Sequence, residues 1–197
     1  MYSLILDTSF KEIGVALYNG SERIDSVSYE AFRKQSEFLL VEIDKILRKN
    51  NVNPRNIRRI YVNNGPGSYT GIRMSLAVSK TFSFMFKTDV FLVSSLLAQV
   101  GYSRGTTISL IDAKADRAYF GLVKCGKVIE EKVLFLSDVV LYVNAHRNFA
   151  VISNFSINGI KSNQPKVGVD GIGEVLKKQK KESDSLRVEP FYFKEAV

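Results

Sequence analysis

The segment NNGPGSYTGIR, residues 63–73, decides the fold, because it turns a strand-like run at 59–62 into a long helix that starts near residue 70. Gly65, Gly67 and Gly71 permit backbone dihedrals that are closed to other residues. A hydroxyl of Ser68 or Thr70 caps the free amides of the helix, which stabilises it by roughly 1 kcal/mol. The same amides favour an anion, but the segment lacks the lysine of a P-loop and the G-x-G-x-x-G spacing. A structural turn therefore explains the glycines at least as well as a phosphate site.

Three strands precede this segment, and one follows its helix. YSLILDTS, EIGVALYNG and ERIDSVSY are consecutive strand patterns, with Asn19-Gly20 as the turn between the second and the third. QSEFLLVEIDKILRKN has helical periodicity, with an apolar stripe that should face a sheet. DVFLVSS, after the second helix, is predicted to be a further strand. Residues 1 to about 95 are therefore predicted to form a βββαβαβ unit on a mixed sheet.

The second half repeats the opening order. TTISLIDAK, RAYFGLVKCG and KVIEEKVLF are three more strand patterns, followed by a helix in SDVVLYVNA and a strand in FAVISN. The first strand of each half ends in an aspartate, as in LILDTS and SLIDAK, which indicates a duplicated unit. We predict an α/β fold of two repeated βββαβα-type domains with mixed sheets, over residues 1–97 and 98–197.

Composition excludes several classes of protein. The 197 residues carry a net charge of +8, which favours contact with a polyanion but is also typical of a solvated basic surface. Cys125 is the sole cysteine and His146 the sole histidine, so an intrachain disulfide and a histidine or thiolate metal site are excluded. The chain opens without a signal peptide, and its most apolar stretch, 74–86, is too short to span a bilayer. We expect a cytoplasmic protein that does not associate with a membrane.

Two strand ends could hold a nucleotide. Asp7, Thr8 and Ser9 follow the first strand, and Asp112 ends its counterpart in the second half. Carboxylates and hydroxyls at such positions bind Mg²⁺ and the phosphates of ATP in actin-like kinases. A capped strand end with hydrogen bonds from side chain to backbone is the alternative. If Asp7 and Asp112 face one cleft, that arrangement favours the hypothesis of a nucleotide-binding site.

Both long helices carry apolar residues on two sides. In the second helix, Met74, Val78, Phe82, Met85 and Phe86 share one face, which is the predicted core face. Leu76, Ala77 and Phe84 lie away from that face, and Phe38 and Val41 lie opposite the core stripe of the first helix. Apolar groups that point outward from two neighbouring helices predict a docking surface. The alternative is that the second domain or the C-terminal tail covers them.

These segments resemble a known family. LDTS, QSEFLLVEID, NNGPGSYTGIRMSLAVSKTF, VSSLLAQ, LIDAKADRAYFGLV and PFYFKEAV are similar, in this order, to segments of the bacterial TsaB (YeaZ-like) family. The resemblance implies an actin-like ATPase fold (ASKHA, ribonuclease H-like) of two repeated domains, related to the larger TsaD proteins. It also implies a role in making threonylcarbamoyladenosine next to the anticodon of tRNA.

The resemblance implies that TsaD is the catalyst and that this chain is an accessory subunit without a cofactor. TsaD holds its metal with two histidines one helical turn apart, and the matching positions here are Gln35 and Leu39. Members of the TsaB family usually have histidine where Gln35 stands, so any direct role of that position is open. The rival hypothesis from the residues themselves is an actin-like ATPase or phosphotransferase that uses Asp7 and Asp112.

The resemblance further implies that the two N-terminal helices bind TsaD, or a second copy of the chain when TsaD is absent. Whether the ATPase TsaE joins the complex is open. The resemblance implies that tRNA binds through the complex, and direct binding of tRNA to the basic surface of this chain is the open alternative. The residues expected to contact the partner are Glu37, Phe38, Val41, Tyr69, Arg73, Leu76, Ala77, Lys80 and Phe84.

Overall fold

The first half of the chain forms strands and helices in the predicted order. The computed structural model describes residues 1–31, 33–179, 181 and 184–191. The elements of this half are β1 (Tyr2–Asp7), β2 (Glu12–Asn19), β3 (Glu22–Glu30), α1 (Gln35–Lys49), β4 (Ile57–Gly65), α2 (Tyr69–Phe86) and β5 (Asp89–Ser94).

The second half also follows the predicted order, with one added helix at its start. Its elements are α3 (Ser95–Ala98), β6 (Thr107–Lys114), β7 (Arg117–Lys124), β8 (Lys127–Phe135), α4 (Leu136–Ala145), β9 (Ala150–Ser153) and α5 (Gly168–Val175). The sequence did not predict the single turn of α3, because four residues are too few to show helical periodicity.

The two sheets share one topology. The first has the strand order β3-β2-β1-β4-β5, and the second has the order β8-β7-β6-β9. In each, an antiparallel meander is joined by a parallel strand, which is β4 beside β1 and β9 beside β6. The predicted α/β repeat with mixed sheets is therefore confirmed. Within the described residues, the second sheet has no strand that corresponds to β5.

The first sheet is covered on both faces. Leu4 and Leu6 of β1 lie in a buried cluster with residues of α1 and α2, whereas Ile5 lies in a second cluster with residues of α3 and α5. Successive side chains of a strand point to opposite faces, so β1 must be apolar throughout. A third cluster joins the second sheet to α4. These clusters leave the carboxyl ends of β1, β4 and β5 as the polar edge of the first sheet.

The end of the chain packs back onto the first half. Helix α5 contacts β1, β2 and α3, and a Cβ atom on Gly171 would collide with the carbonyl oxygen of Ala98. Val188 belongs to the same buried cluster as the residues of α1 and α2. The predicted closing extended segment, 186–197, lies within the described residues only as far as Phe191. The division into domains at residue 97 stays a prediction.

Candidate functional site

The glycine-rich loop is built against the turn between β1 and β2. The amide of Ser68 donates to the carbonyl oxygen of Ser9 at 2.6 Å, and the hydroxyl of Thr8 donates to the carbonyl oxygen of Gly71 at 2.6 Å. A Cβ atom at Gly67 or Gly71 would collide with one of these two backbone segments. The hydroxyl of Ser68 caps α2 by accepting from the amide of Gly71 at 3.3 Å. The contacts of these glycines therefore support the structural explanation.

A buried polar network joins the ends of the first sheet's strands. Asn63, at the end of β4, donates through Nδ2 to Asp7 Oδ2 at 3.2 Å and to Ser9 Oγ at 2.9 Å. Its Oδ1 accepts from Ser95 Oγ at 2.7 Å and from the amide of Gly65 at 3.0 Å. Every polar atom of the Asn63 side chain therefore faces a partner that fixes its orientation.

Asp7 is the centre of this network and is buried. Its Oδ1 accepts from the amide of Ser9 at 2.9 Å and from the hydroxyl of Ser9 at 2.6 Å. The backbone of Gly168 lies directly against the carboxylate, where a Cβ atom would collide with Oδ2. Burial raises the pKa of the Asp7 carboxyl above its ordinary value, although the hydrogen bonds from Ser9 and Asn63 act in the opposite direction.

Asp112 has a different environment. It is partly exposed and forms an ion pair with Lys114 two residues along the chain, and the hydrogen bond from that lysine lowers the pKa of the Asp112 carboxyl. Asp7 lines a cavity of about 440 Å³, whereas Asp112 lines a separate groove of about 780 Å³. The two aspartates therefore line two adjoining cavities rather than one cleft, and this arrangement does not favour the nucleotide hypothesis.

The two cavities meet at a shared wall between the halves of the chain. Phe10, Lys11 and Asn154 line both of them.

Thr8 and Ser9 are fully buried and hydrogen-bonded within the chain, so their hydroxyl groups already have partners in the folded protein. In the described part of the chain, no group of three His, Cys, Asp or Glu side chains is placed to hold a metal ion.

Most of the predicted partner-binding residues point outward from α1 and α2. Val41 is 43% exposed, Tyr69 is 56% exposed and Phe84 is 70% exposed. Glu37, Arg73 and Ala77 are also exposed, and Lys80 is partly exposed. The guanidinium of Arg73 lies 5.1 Å from the centre of the Tyr69 ring and donates to its hydroxyl. Leu40 and Met85, which the sequence pattern placed on the core faces of the two helices, are exposed instead and extend the exposed apolar area.

Leu76 is the exception, and the expectation that it points outward is wrong. It is 2% exposed and belongs to the core cluster of the first half. The predicted core face was Met74, Val78, Phe82, Met85 and Phe86, and of these only Phe82 is buried. The buried residues of α2 are Gly71, Ile72, Ser75, Leu76, Ser79 and Phe82. Met85 is in fact exposed, and Met74, Val78 and Phe86 are only partly buried.

The two buried serines explain this rotation of α2. Ser75 Oγ donates to the carbonyl oxygen of Ile72 at 3.1 Å, and Ser79 Oγ donates to that of Ser75 at 2.8 Å. Their hydroxyls are satisfied inside the helix, so burial leaves no polar atom unpaired. Their small side chains allow the helix backbone to lie close to the sheet. Small residues recur at every fourth position in Gly71, Ser75, Ser79 and Ser83, and this spacing is the sequence signal for a close approach of another backbone. Hydropathy alone treats serine as exposed and therefore predicts a different face.

Phe38 is also less exposed than expected. It is partly buried and packs against the core cluster that contains Leu39 and Ile43, together with Met74 and Val78 of α2. Phe38 therefore helps to fill the space between the two helices, and only part of its side chain is available to a partner. We define the docking surface as eight of the exposed residues of the two helices, namely Glu37, Leu40, Val41, Tyr69, Arg73, Ala77, Phe84 and Met85.

Gln35, at the start of α1, has a structural contact. Its Nε2 donates to the carbonyl oxygen of Phe10 at 2.6 Å and lies 3.4 Å from that of Glu12. Gln35 thus ties α1 to the turn between β1 and β2, and Leu39 one turn later is buried in the core. The sequence offered no sign of the Gln35 contact, because its partners are backbone atoms of another element.

Comparisons with known proteins agree with this architecture. The family model described as "TsaD: tRNA N6-adenosine threonylcarbamoyltransferase" matches residues 27–167. An uncharacterized protein of Mycoplasma pneumoniae is 29% identical over 157 residues, which is 78% of this chain and 79% of that protein. The tRNA threonylcarbamoyladenosine biosynthesis protein TsaB of Bacillus subtilis is 27% identical over 144 residues, which is 72% of this chain and 63% of that protein.

A solved structure extends the likeness to the whole described fold. YeaZ from Pseudomonas aeruginosa superposes with a TM-score of 0.76 at 21% identity, covering 98% of this chain and 99% of that one. The actin-like fold that the sequence resemblance implies is thereby confirmed. Among the described residues, no helix combines the length and the apolar character that crossing a membrane requires.

Proposed function

Because the chain belongs to the TsaD family, as a TsaB-like (YeaZ-like) member, we propose that it is a non-catalytic subunit that binds and supports a catalytic TsaD protein. Relatives of this chain are named as tRNA threonylcarbamoyladenosine biosynthesis proteins. The proposed role is to hold TsaD in the form that modifies tRNA next to the anticodon, with tRNA bound through the complex.

The observation that carries this proposal is the exposed apolar surface across α1 and α2. Val41, Tyr69 and Phe84 come from two helices of one layer, and none of them is needed to cover the core beneath. Large apolar side chains grouped on one face mark a protein interaction site more often than single exposed ones do. Glu37 and Arg73 on the same surface give it charges of both signs, which favour one orientation of the partner.

The proposal that the chain is not itself the catalyst has separate support. The carboxylate of Asp7 is held by Ser9, Asn63 and the backbone of Gly168, so binding a metal there would require this network to open. By the resemblance, TsaD has its metal-binding histidines at the positions of Gln35 and Leu39. In this chain, Gln35 donates a hydrogen bond to a backbone carbonyl oxygen, and Leu39 is buried in the core.

The experiment is a binding assay with TsaD from the same organism. The double variant Val41→Glu with Phe84→Glu should lose copurification with TsaD, because two carboxylates would be desolvated in the interface. Both positions are exposed, so circular dichroism should match that of the unaltered chain. The matched control is Ile129→Glu with Leu141→Glu, two exposed apolar residues of the second half, which should leave binding intact. Full binding by the first variant would refute the proposal.

Without TsaD, the same surface is available to a second copy of the chain, and we propose a homodimer through α1 and α2 under that condition. Sedimentation equilibrium of the isolated protein should then show a dimer, and Val41→Glu with Phe84→Glu should convert it to a monomer. A dimer that survives these substitutions would place the contact elsewhere.

A further inference from the structure

The C-terminal segment 184–191 runs along the edge of the first half and is fixed at both ends. We call it the C-terminal strap. The hydroxyl of Ser185 accepts from the amide of Val90 in the edge strand β5 at 3.3 Å. The amide of Phe191 donates to the carbonyl oxygen of Asn64, near the end of β4, at 2.8 Å. The strap therefore passes from the beginning of β5 to the loop in front of α2.

Val188 anchors the middle of the strap. It is 4% exposed and belongs to the same core cluster as Leu76, Phe82 and Val90. Its neighbour Glu189 is exposed. Leu186, two residues earlier on the strap, is 49% exposed. One side chain of the strap thus enters the core next to α2, while others remain at the surface.

The strap and α2 enclose a groove of about 420 Å³. Its lining residues are Arg73, Leu76, Ala77 and Lys80 from α2 and Val188, Glu189 and Pro190 from the strap. The accessible lining of this groove is partly apolar, through Ala77 and Pro190, and Arg73 and Lys80 make its helix side cationic. Arg73 and Ala77 also belong to the docking surface, so the groove is continuous with that surface.

We propose that the strap is the second wall of the docking surface and that its groove receives a segment of the TsaD partner that carries an apolar side chain beside a carboxylate. This inference rests on the proposed function. Two cations on the helix side outnumber Glu189 on the strap side, so an acidic segment complements the groove better than a basic one. Between the two fixed ends of the strap, Val188 is the side chain that enters the core beside α2 and holds this wall of the groove in place.

The first test uses Val188→Ser in the full chain, which weakens the hold of the strap without changing any exposed atom of α1 or α2. The affinity for TsaD should fall by about tenfold or more, because the groove loses one wall. Leu186→Ser alters an exposed residue of the same strap and should leave the affinity unchanged. Undiminished affinity of Val188→Ser would overturn the proposal.

A second test does not depend on the stability of the variant. Glu189→Lys makes the strap wall cationic, so association with an acidic segment should tighten, with a larger gain at low salt because exposed charges are screened by ions. Lys80→Glu should weaken association with the same salt dependence. A strap that served only the fold would leave the affinity of Glu189→Lys unchanged, and that result would overturn the proposal. If the unaltered chain failed to bind TsaD at all, the proposed function would fall instead.

Discussion

The carbonyl oxygen of Thr8 occupies the space that a side chain at position 71 would need. Thr8 also holds the start of α2, because its hydroxyl donates a hydrogen bond to the carbonyl oxygen of Gly71 at 2.6 Å. The start of α2 and the end of β1 are therefore fitted to each other with no spare volume. The position of the docking helix depends on this contact between residues 63 positions apart.

The first prediction concerns that contact. Gly71→Ala should lower the free energy of unfolding by roughly 1–3 kcal/mol or more, because the added methyl group must displace backbone rather than a flexible side chain. The measurement is urea denaturation followed by circular dichroism. Gly105→Ala is the control, since no atom lies within 4 Å of the Cβ position there. Equal stability of the two variants would contradict the proposed fit.

The second prediction follows from the raised pKa of Asp7. A folded pKa above the ordinary value of 3.8 means that the folded state binds more protons than the unfolded state between these two values. The contribution of Asp7 to the free energy of unfolding should therefore fall as pH rises through that window, and should stay constant above the folded pKa.

The measurement for Asp7 is urea denaturation at a series of pH values for the unaltered chain and for Asp7→Asn. The difference, unaltered minus variant, should decrease with rising pH and then level off. The variant is also expected to lose stability at every pH, because its new amide would face the amide of Asn63. A difference that does not change with pH would show that Asp7 titrates normally.

The third prediction separates the buried and the exposed side of α2. Leu76→Ala should cost roughly 2–5 kcal/mol of unfolding free energy, because it leaves a cavity in the core. Phe84→Ala should change stability by no more than about 0.5 kcal/mol, because its ring is exposed. Thermal denaturation of both variants is the measurement. A large loss of stability in Phe84→Ala would mean that this ring serves the fold.

The fourth prediction tests the polar network at the strand ends. Asn63→Ala should lower the free energy of unfolding by roughly 2–5 kcal/mol, since Asp7, Ser9 and Ser95 each lose a buried hydrogen-bond partner. Asn158→Ala, at an exposed turn position, is the control and should be neutral. The measurement is chemical denaturation of both variants. An unchanged unfolding free energy of Asn63→Ala would show that the network contributes little to stability.

Sequence patterns predicted the order of the elements well, because that order follows from local periodicity. The apolar run of β1 and the spacing of turns such as Asn19-Gly20 are properties of neighbouring residues. The repeat of the two sheets was predictable for the same reason. The short helix α3 and the return of α5 to the first sheet were not, since the first lacks periodicity and the second depends on contacts between distant segments.

The candidate site was predictable only in part. Val41, Tyr69 and Phe84 are exposed as expected, because their side chains lie on the surface of the helix layer rather than in the core beneath it. Leu76 was assigned to the wrong side of α2, since the core cluster that contains it is assembled from segments far apart in the chain, from Leu4 to Val188. Asn63 and Ser95 were missed because isolated polar residues have no pattern until the strand ends meet.

The sequence by itself determined which elements form, in what order, and that the chain repeats one α/β unit with a glycine-rich turn before α2. These features depend on short-range spacing of apolar, small and turn residues. Only the tertiary structure decided which face of α2 meets the sheet, that the Asp7 carboxylate is enclosed by Ser9, Asn63 and Gly168, and that the C-terminal strap borders the docking surface. Each of these depends on the volume and the hydrogen-bonding atoms of residues far apart in the chain, which become neighbours only when the sheets assemble.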